Sequence, residues 1–309
     1  MSDQLLSHPY LHTADDLSFN DIQLVFSKAQ YFLENYKPGV KFDDLKGMTI
    51  ALAFFENSTR TRLSFELAAK RLSGEVFSFA AAQSSLAKGE SLIDTFRTIE
   101  AMTVHMYVIR HGSSGVPRFL QNNSNSIIIN AGDGQHEHPT QSLLDAFTLK
   151  KYFGNVEGLK VCIVGDILHS RVARSNIIML NTLGAEVGVL APGTLLPFGW
   201  KTWNVKPMAT IEEAIEWSDV ILMLRLQRER MESGLLPSNR EFSNYYGVDL
   251  KRFSSKPNLV LLHPGPVNYG VELDYEISSL PNVLIETQVT HGVFIRMALL
   301  SLLSKFVKI

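Results

Sequence analysis

The sequence predicts an α/β protein built from two doubly wound parallel-sheet domains, and three observations carry that prediction. Short apolar runs of strand length alternate with stretches whose apolar residues recur at helical spacing, the pattern that joins parallel strands through helices. The chain has 309 residues, enough for two domains that each bury a core. Polar clusters follow directly on several of the strand-like runs, and ligands of open parallel sheets bind beyond the carboxyl ends of the strands.

Composition limits the function classes. A hydrophobic content of 45% with 19% charged residues describes a folded globular chain. The formal net charge of -2 argues against nucleic acid or an anionic membrane as the main partner, so any positive field is local. The one cysteine, Cys162, excludes an internal disulfide and lies in an apolar run, where a buried structural thiol is expected. The opening stretch MSDQLLSHPYLHTADD has no basic segment followed by an apolar core. No run approaches the ~18 apolar residues of a membrane span, and a cytoplasmic protein is expected.

Ser18 with Asp21 three residues on reads as a capped start, and Ile22, Val25, Phe26, Ala29, Phe32 and Leu33 mark one face of a packing helix. Met48 to Phe55 is a buried strand with β-branched Thr49 and Ile50. It ends at Glu56-Asn57-Ser58-Thr59-Arg60-Thr61-Arg62, after which Leu63, Phe65, Leu67, Ala68 and Leu72 recur at helical spacing. The cluster therefore sits where a strand turns into a helix, and the helix's first N–H groups are joined there by three hydroxyls and two guanidinium groups. A helix terminus alone gives roughly 0.3 to 1 kcal/mol to a surface anion. That is too little to hold a dianion against water, whereas a forked arginine adds short charge-assisted hydrogen bonds. A phosphate site and an ordinary N-cap with solvated arginines both fit this stretch taken by itself.

Glu75 to Phe79 reads as a second strand, and 80–90 as an exposed loop of small residues whose one strong chemical handle is Lys88; by itself this is a plain connection. Ser91 to Ala101 is helical and Met106 to Ile109 is a strand, with Arg110-His111 at its carboxyl end on the same rim as Ser58 to Thr61. Ser126 to Asn130 is the next strand, and Ala131-Gly132-Asp133-Gly134 is expected to be a flexible return to that rim. His136-Glu137-His138-Pro139-Thr140-Gln141 then leads into a helix through Leu143, Leu144, Ala146 and Phe147. Two close histidines without a third ligand make a weak metal site, and no metal is expected. The helix end near Lys150 to Tyr152, with Gly154 after it, marks a domain junction.

The second unit alternates in the same way. Lys160 to Val164, Glu186 to Leu190, Val220 to Leu224 and Leu259 to Leu262 read as strands, and Val172 to Leu183 and Ile211 to Trp217 as helices. Gly165-Asp166-Ile167-Leu168-His169 lacks the G-x-G-x-x-G turn through which backbone approaches a pyrophosphate, which argues against a dinucleotide. Arg171, early in its helix, and Arg225 and Gln227, just past a strand, stand at the same rim and suit a small dicarboxylate, although a lone arginine is more often a surface charge. His263-Pro264-Gly265-Pro266-Val267-Asn268 is a rigid turn. Thr290-His291-Gly292 precedes a last helix through Val307, with Phe294, Ile295, Met297, Ala298 and Leu302 apolar.

Ser58-Thr59-Arg60-Thr61-Arg62 on a strand-to-helix turn resembles the carbamoyl-phosphate loop of the transcarbamoylase family. Ser84-Ser85-Leu86-Ala87-Lys88-Gly89-Glu90, His138-Pro139-Thr140-Gln141 and His263-Pro264-Gly265-Pro266 resemble its further signatures, in the family's order and over essentially the whole chain. Ornithine-specific members typically carry H-C-L-P where this chain has the H-P-x-P of aspartate-specific ones, with Gly265 where leucine is common and no arginine after Pro266. The resemblance implies transfer of a carbamoyl group from carbamoyl phosphate to L-aspartate, a step of pyrimidine biosynthesis, without a metal or organic cofactor. Another amine such as ornithine, or a non-catalytic anion-binding relative, are the alternatives.

The resemblance also assigns roles. Ser58, Thr59, Arg60 and Thr61 would hold the phosphate; Thr59, Arg110 and His138 would polarise the carbonyl; Gln141 would bind the carbamoyl amide; Gly265 and Pro266 would offer backbone carbonyls to the amines. Arg171, Arg225 and Gln227 would bind the aspartate carboxylates. Ser85 and Lys88 would come from the adjacent subunit of a homotrimer with shared sites, on a loop one residue shorter than in relatives with two successive lysines. Larger assemblies with regulatory or other pyrimidine-pathway chains are compatible with it. The implied domains are 1–150, carrying carbamoyl phosphate and joined by the last helix at 291–309, which packs back on it, and 151–290, carrying aspartate.

Overall fold

The computed structural model describes residues 4–80, 91–227, 235 and 238–307. They fall into two compact units, Met1–Leu144 with Thr290–Ile309, and Asp145–Val289.

The first unit holds helix α1 (Phe19–Asn35), then β1 (Thr49–Phe54), α2 (Thr59–Arg71), β2 (Glu75–Ala80), α3 (Leu92–Glu100), β3 (Met106–His111), α4 (Val116–Gln121), β4 (Ile127–Asp133) and the start of α5 (Pro139–Phe153). Its strands form a parallel sheet in the order β2-β1-β3-β4. The chain winds outward from β1 to β2 and then crosses to β3 on the other side, so the order reverses between β1 and β3. That crevice is where open α/β sheets take their ligands. Ala51 and Ala53 are small on the face where Phe96, Tyr107, Ile109, Leu120 and Ile128 are buried with them, and this lets α3 lie close on the sheet.

The capping box at α1 is present as the sequence predicts: Asp21 N donates to Ser18 Oγ at 3.2 Å, and Ser18 N to Asp21 Oδ2 at 2.9 Å. Strand β4 corrects one expectation. Ala131-Gly132-Asp133 are buried strand and not a flexible return, because the backbone finds partners inside: Gly132 N donates to Asn130 Oδ1 at 2.8 Å, next to a register shift against β3. Helix α4 has no counterpart in the sequence reading; Gly115, left-handed at φ 84°, introduces it with Pro117 in its first turn.

The second unit runs β5 (Lys160–Val164), α6 (Arg171–Thr182), β6 (Glu186–Leu190), β7 (Lys206–Pro207), α7 (Ile211–Trp217), β8 (Val220–Met223), α8 (Asn239–Tyr246), α9 (Leu250–Ser254) and β9 (Val260–Leu262). Its parallel sheet has the order β7-β6-β5-β8-β9 and reverses between β5 and β8. Cys162 lies in the core cluster of this sheet with Val164, Leu190, Ile215 and Ile221, and burial pushes its thiol far above the ordinary range, so it is an inert packing residue.

The last helix, α10 (Ile285–Ser304), begins five residues before Thr290, with Glu286 in its first turn at the positive end of the dipole. The part from Thr290 onward belongs to the first unit, where Ser301 Oγ donates to Asp44 and the Phe294 ring lies 6.0 Å from that of Tyr36.

Candidate active site

In the first unit the switch point brings the predicted phosphate residues to one rim. Phe54 of β1 is paired with Arg110 of β3, and Phe55 N donates to Arg110 O at 2.8 Å. Ser58 is the N-cap of α2, and Thr59, Arg60 and Thr61 form its first turn. This turn differs from most others in the molecule. Helices α1, α3, α6, α7, α8 and α9 each begin with a Ser, Thr or Asp side chain that accepts a hydrogen bond from the amide three residues on. The Ser58 side chain makes no such bond and the first turn of α2 contains no acidic residue. The start of α2 thus lacks the side-chain cap those helices have.

Arg110 is aimed by two neighbours. Its Nη1 donates to Ala131 O at 3.1 Å, and its Nε lies 3.5 Å from Glu56 Oε2. Glu56 was not among the predicted residues; an acidic side chain placed between the strand and the phosphate turn was the available signal. His138 and Gln141 open α5 and are buried, with Gln141 N donating to His138 O at 2.9 Å and the Thr140 hydroxyl 3.5 Å from His138 Nδ1. Asn130 and Asp133 support this end of the rim. Asp133 accepts from Gly115 N at 2.6 Å, Glu137 N at 3.1 Å and Asn130 Nδ2 at 2.9 Å, and from His136 Nδ1 at 3.1 Å. Burial alone would raise its pKa, but these hydrogen bonds prevail and hold the carboxyl below its ordinary range. His136 thus faces Asp133 while His138 faces Thr140. Among the described residues no group of three or more His, Cys, Asp or Glu side chains is placed to hold a metal ion.

In the second unit the rim is built around Asp166, fully buried after β5. Gly165 before it has φ 124°, and a Cβ there would meet Leu224 O at 2.8 Å, so only glycine lets the two strand ends come this close. Asp166 Oδ1 accepts from His169 N at 3.1 Å and from His169 Nδ1 at 2.9 Å, while Oδ2 accepts from Gln227 N at 3.2 Å. One carboxylate therefore joins the turn leading to Arg171 with the segment carrying Arg225 and Gln227. In sequence Asp166 and His169 read as part of a plain strand turn, and their i, i+3 spacing is the signal of the pair. Arg171 is 4% exposed at the first position of α6.

The turn with Gly265 and Pro266 follows β9, contains a cis Gly265–Pro266 peptide, and is anchored from buried side chains. Gly265 N donates to His263 Nδ1 at 2.7 Å, Asn268 N to Glu272 Oε1 at 3.0 Å and His263 N to Gln288 Oε1 at 2.9 Å. Ser85 and Lys88 lie outside the described residues.

Both halves of the chain match family models. Residues 10–151 match the carbamoyl-P binding domain of aspartate/ornithine carbamoyltransferases, and residues 157–303 match their Asp/Orn binding domain. The chain belongs to the aspartate/ornithine carbamoyltransferase family. Within it, the chain is 50% identical over 291 residues to the aspartate carbamoyltransferase catalytic subunit of Desulfitobacterium hafniense (strain DSM 10664 / DCB-2), covering 94% of this chain and 93% of the relative. Among solved structures of the family, it resembles Trypanosoma cruzi aspartate transcarbamoylase in complex with carbamoyl phosphate and aspartate, at 30% identity and a TM-score of 0.87 over 94% of this chain and 95% of that one. The catalytic subunit of M. jannaschii aspartate transcarbamoylase is 33% identical, with a TM-score of 0.85 over 96% and 98%. Ser58 to Thr61, Arg110, His138 and Gln141 fall in the carbamoyl-P model, and Arg171, Arg225, Gln227, Gly265 and Pro266 in the Asp/Orn model.

Proposed function

We propose that this chain transfers the carbamoyl group of carbamoyl phosphate to L-aspartate, giving N-carbamoyl-L-aspartate and phosphate, an early step of pyrimidine biosynthesis. The observation that carries the reading is the uncapped first turn of α2 beside Arg110 at the first sheet's switch point, in a chain half identical to a named aspartate carbamoyltransferase.

The chemistry follows from the residue types. The aspartate nitrogen attacks the carbonyl carbon, a C–N bond forms, and the bond from carbon to the phosphate oxygen breaks. Ser58, Thr59, Arg60 and Thr61 hold the phosphate as it leaves. Thr59, Arg110 and His138 donate to the carbonyl oxygen as it gains charge; removing one donor of this kind typically costs about 2.7 to 4 kcal/mol of barrier stabilisation. Gln141 and the carbonyls of Gly265 and Pro266 take the carbamoyl amide and the incoming amine. Arg171, Arg225 and Gln227 receive the two carboxylates. The amine proton passes to an oxygen of the departing phosphate, so neither a covalent intermediate nor a metal enters the scheme.

The reading makes 1–150 with 291–309 the carbamoyl-phosphate domain and 151–290 the aspartate domain. It includes a homotrimer in which Ser85 and Lys88 of one subunit complete the phosphate site of the next, and a cytoplasmic location, where both charged substrates would have to be met. No described helix is long and apolar enough to cross a membrane. The test is phosphate release from carbamoyl phosphate with a panel of amino acids. L-aspartate should support turnover; preference for L-ornithine, or release with no acceptor dependence, would overturn the reading.

A further inference from the structure

Helix α10 brings a cation to the carbamoyl-phosphate rim from behind. Arg296 is 4% exposed; its Nη1 donates to Ser64 Oγ on α2 at 2.8 Å and its Nη2 to Thr140 Oγ1 on α5 at 3.5 Å. The guanidinium carbon stands 5.0 Å from the ring centroid of Phe65, also on α2. Room for it is kept one turn earlier: a Cβ on Gly292 would lie 2.8 Å from Arg296 Nη1. Thr140 is fully buried, and its hydroxyl oxygen is 3.5 Å from His138 Nδ1. All of these residues belong to the same unit of the chain.

Arginine is donor-only and stays charged, so Thr140 Oγ1 accepts from it, and the Thr140 hydrogen is available to His138 Nδ1. With that hydrogen accepted at Nδ1, the ring proton of His138 sits on Nε2, the tautomer that donates to a carbonyl oxygen. The other branch of the fork holds Ser64, one turn beyond the phosphate turn at the start of the same helix. We propose that Arg296 is a positioning residue for the carbamoyl-phosphate half of the reaction: it fixes α2 against the start of α5 and, through Thr140, sets the tautomer and aim of His138. This rests on the reading of His138 as the carbonyl donor and of α2 as the phosphate helix. It makes the last helix a working part of the site.

The test compares wild type with Arg296→Gln, Thr140→Val and the double variant, reading kcat, KM for carbamoyl phosphate and the inhibition constant of inorganic phosphate. Thr140→Val should lower kcat roughly tenfold or more, the scale of a lost hydrogen bond in a buried chain, with the phosphate constant within about twofold of wild type. Arg296→Gln should lower kcat at least as much and also weaken phosphate, and adding Thr140→Val should change kcat little further, because both act through one path. A merely structural role would lower the thermal midpoint without this split. Folded Arg296→Gln with kcat and phosphate inhibition within twofold of wild type, or effects of the two substitutions that multiply, would overturn the proposal. If Arg296→Gln does not fold, Thr140→Val decides it alone, with an unchanged kcat as the overturning result. A wild type that does not carbamoylate L-aspartate removes the functional reading and this inference together, whereas an active wild type with unaffected variants removes only the inference.

Discussion

Both sheets are parallel and reverse their strand order once, yet their carboxyl rims differ in how hydrogen bonds are satisfied. At the first rim α2 begins without a side-chain cap, its Thr59 and Arg60 exposed. At the second, α6 is capped by Ser170, whose hydroxyl accepts from Ala173 N at 3.1 Å, and Arg171 beside it is buried. The difference matches two kinds of ligand. A phosphate dianion has enough acceptor oxygens to use a whole turn of amides and hydroxyls together with a guanidinium. A dicarboxylate is recognised by paired forks, so a rim whose backbone is satisfied by its own side chains still suits it. The two rims therefore differ in whether the helix start is capped by its own N-cap side chain, as α6 is and α2 is not.

The sharpest way to break this contrast is at Arg60. Arg60→Ala removes charge that a helix terminus cannot replace, and turnover should fall about 100- to 1,000-fold with the far-ultraviolet circular dichroism unchanged. Near-normal turnover in the folded variant would mean that the phosphate is held elsewhere.

If the first rim is completed by a neighbouring subunit, two dead proteins should make a live one. Arg60→Ala and Lys88→Ala variants, dissociated together and reassembled, give mixed rings in which an intact turn meets an intact loop at one interface. Activity should return to the mixture although neither parent has it. A mixture that exchanges subunits by mass spectrometry and stays inactive would place Lys88 within its own chain or outside the site.

At the second rim the expected effects are smaller and fall on the acceptor. Arg225→Ala should raise KM for L-aspartate roughly 10- to 100-fold while the inhibition constant of inorganic phosphate stays within about twofold, since one charge-assisted fork is lost from one ligand only. L-ornithine should not be a substrate of the wild type, because its δ-ammonium would meet the guanidinium that takes the β-carboxylate of L-aspartate. An Arg225→Ala protein with an unchanged KM for L-aspartate would detach the second rim from the amino acid.

Much of this was legible in the sequence because it is local. The alternation of apolar runs gives β1, β5 and β6 to within a residue or two, and the polar residues after a strand are on a rim wherever that strand lies in the sheet. Supports made across the fold were not legible. Glu56 meets Arg110 across two neighbouring strands, Asp166 meets Gln227 across 61 residues, and Arg296 reaches Ser64 across 232 residues. Each of these side chains looks in sequence like an ordinary surface charge. Ala131 to Asp133 misled for the opposite reason: a glycine next to small and polar residues reads as a loop, yet Asn130 supplies the missing backbone partner from its side chain.

Asp133 gives the smallest predicted effect and separates support of the rim from chemistry at it. Its folded-state pKa lies below that of an unfolded aspartate, so the ionised form binds its partners and protonation weakens them. The sign follows from linkage: its contribution to stability is fully present above the unfolded value, about 3.9, and is lost as pH falls through the folded value below it. Asp133→Asn should therefore be less stable than wild type by about 1 to 3 kcal/mol at neutral pH, the range for charged hydrogen bonds to buried partners. The gap between the two proteins should be flat from pH 7 to pH 5 and shrink only below about pH 4. Urea titrations at several pH values measure it. A gap that already closes between pH 7 and pH 5 would mean that a group other than the Asp133 carboxylate carries the effect.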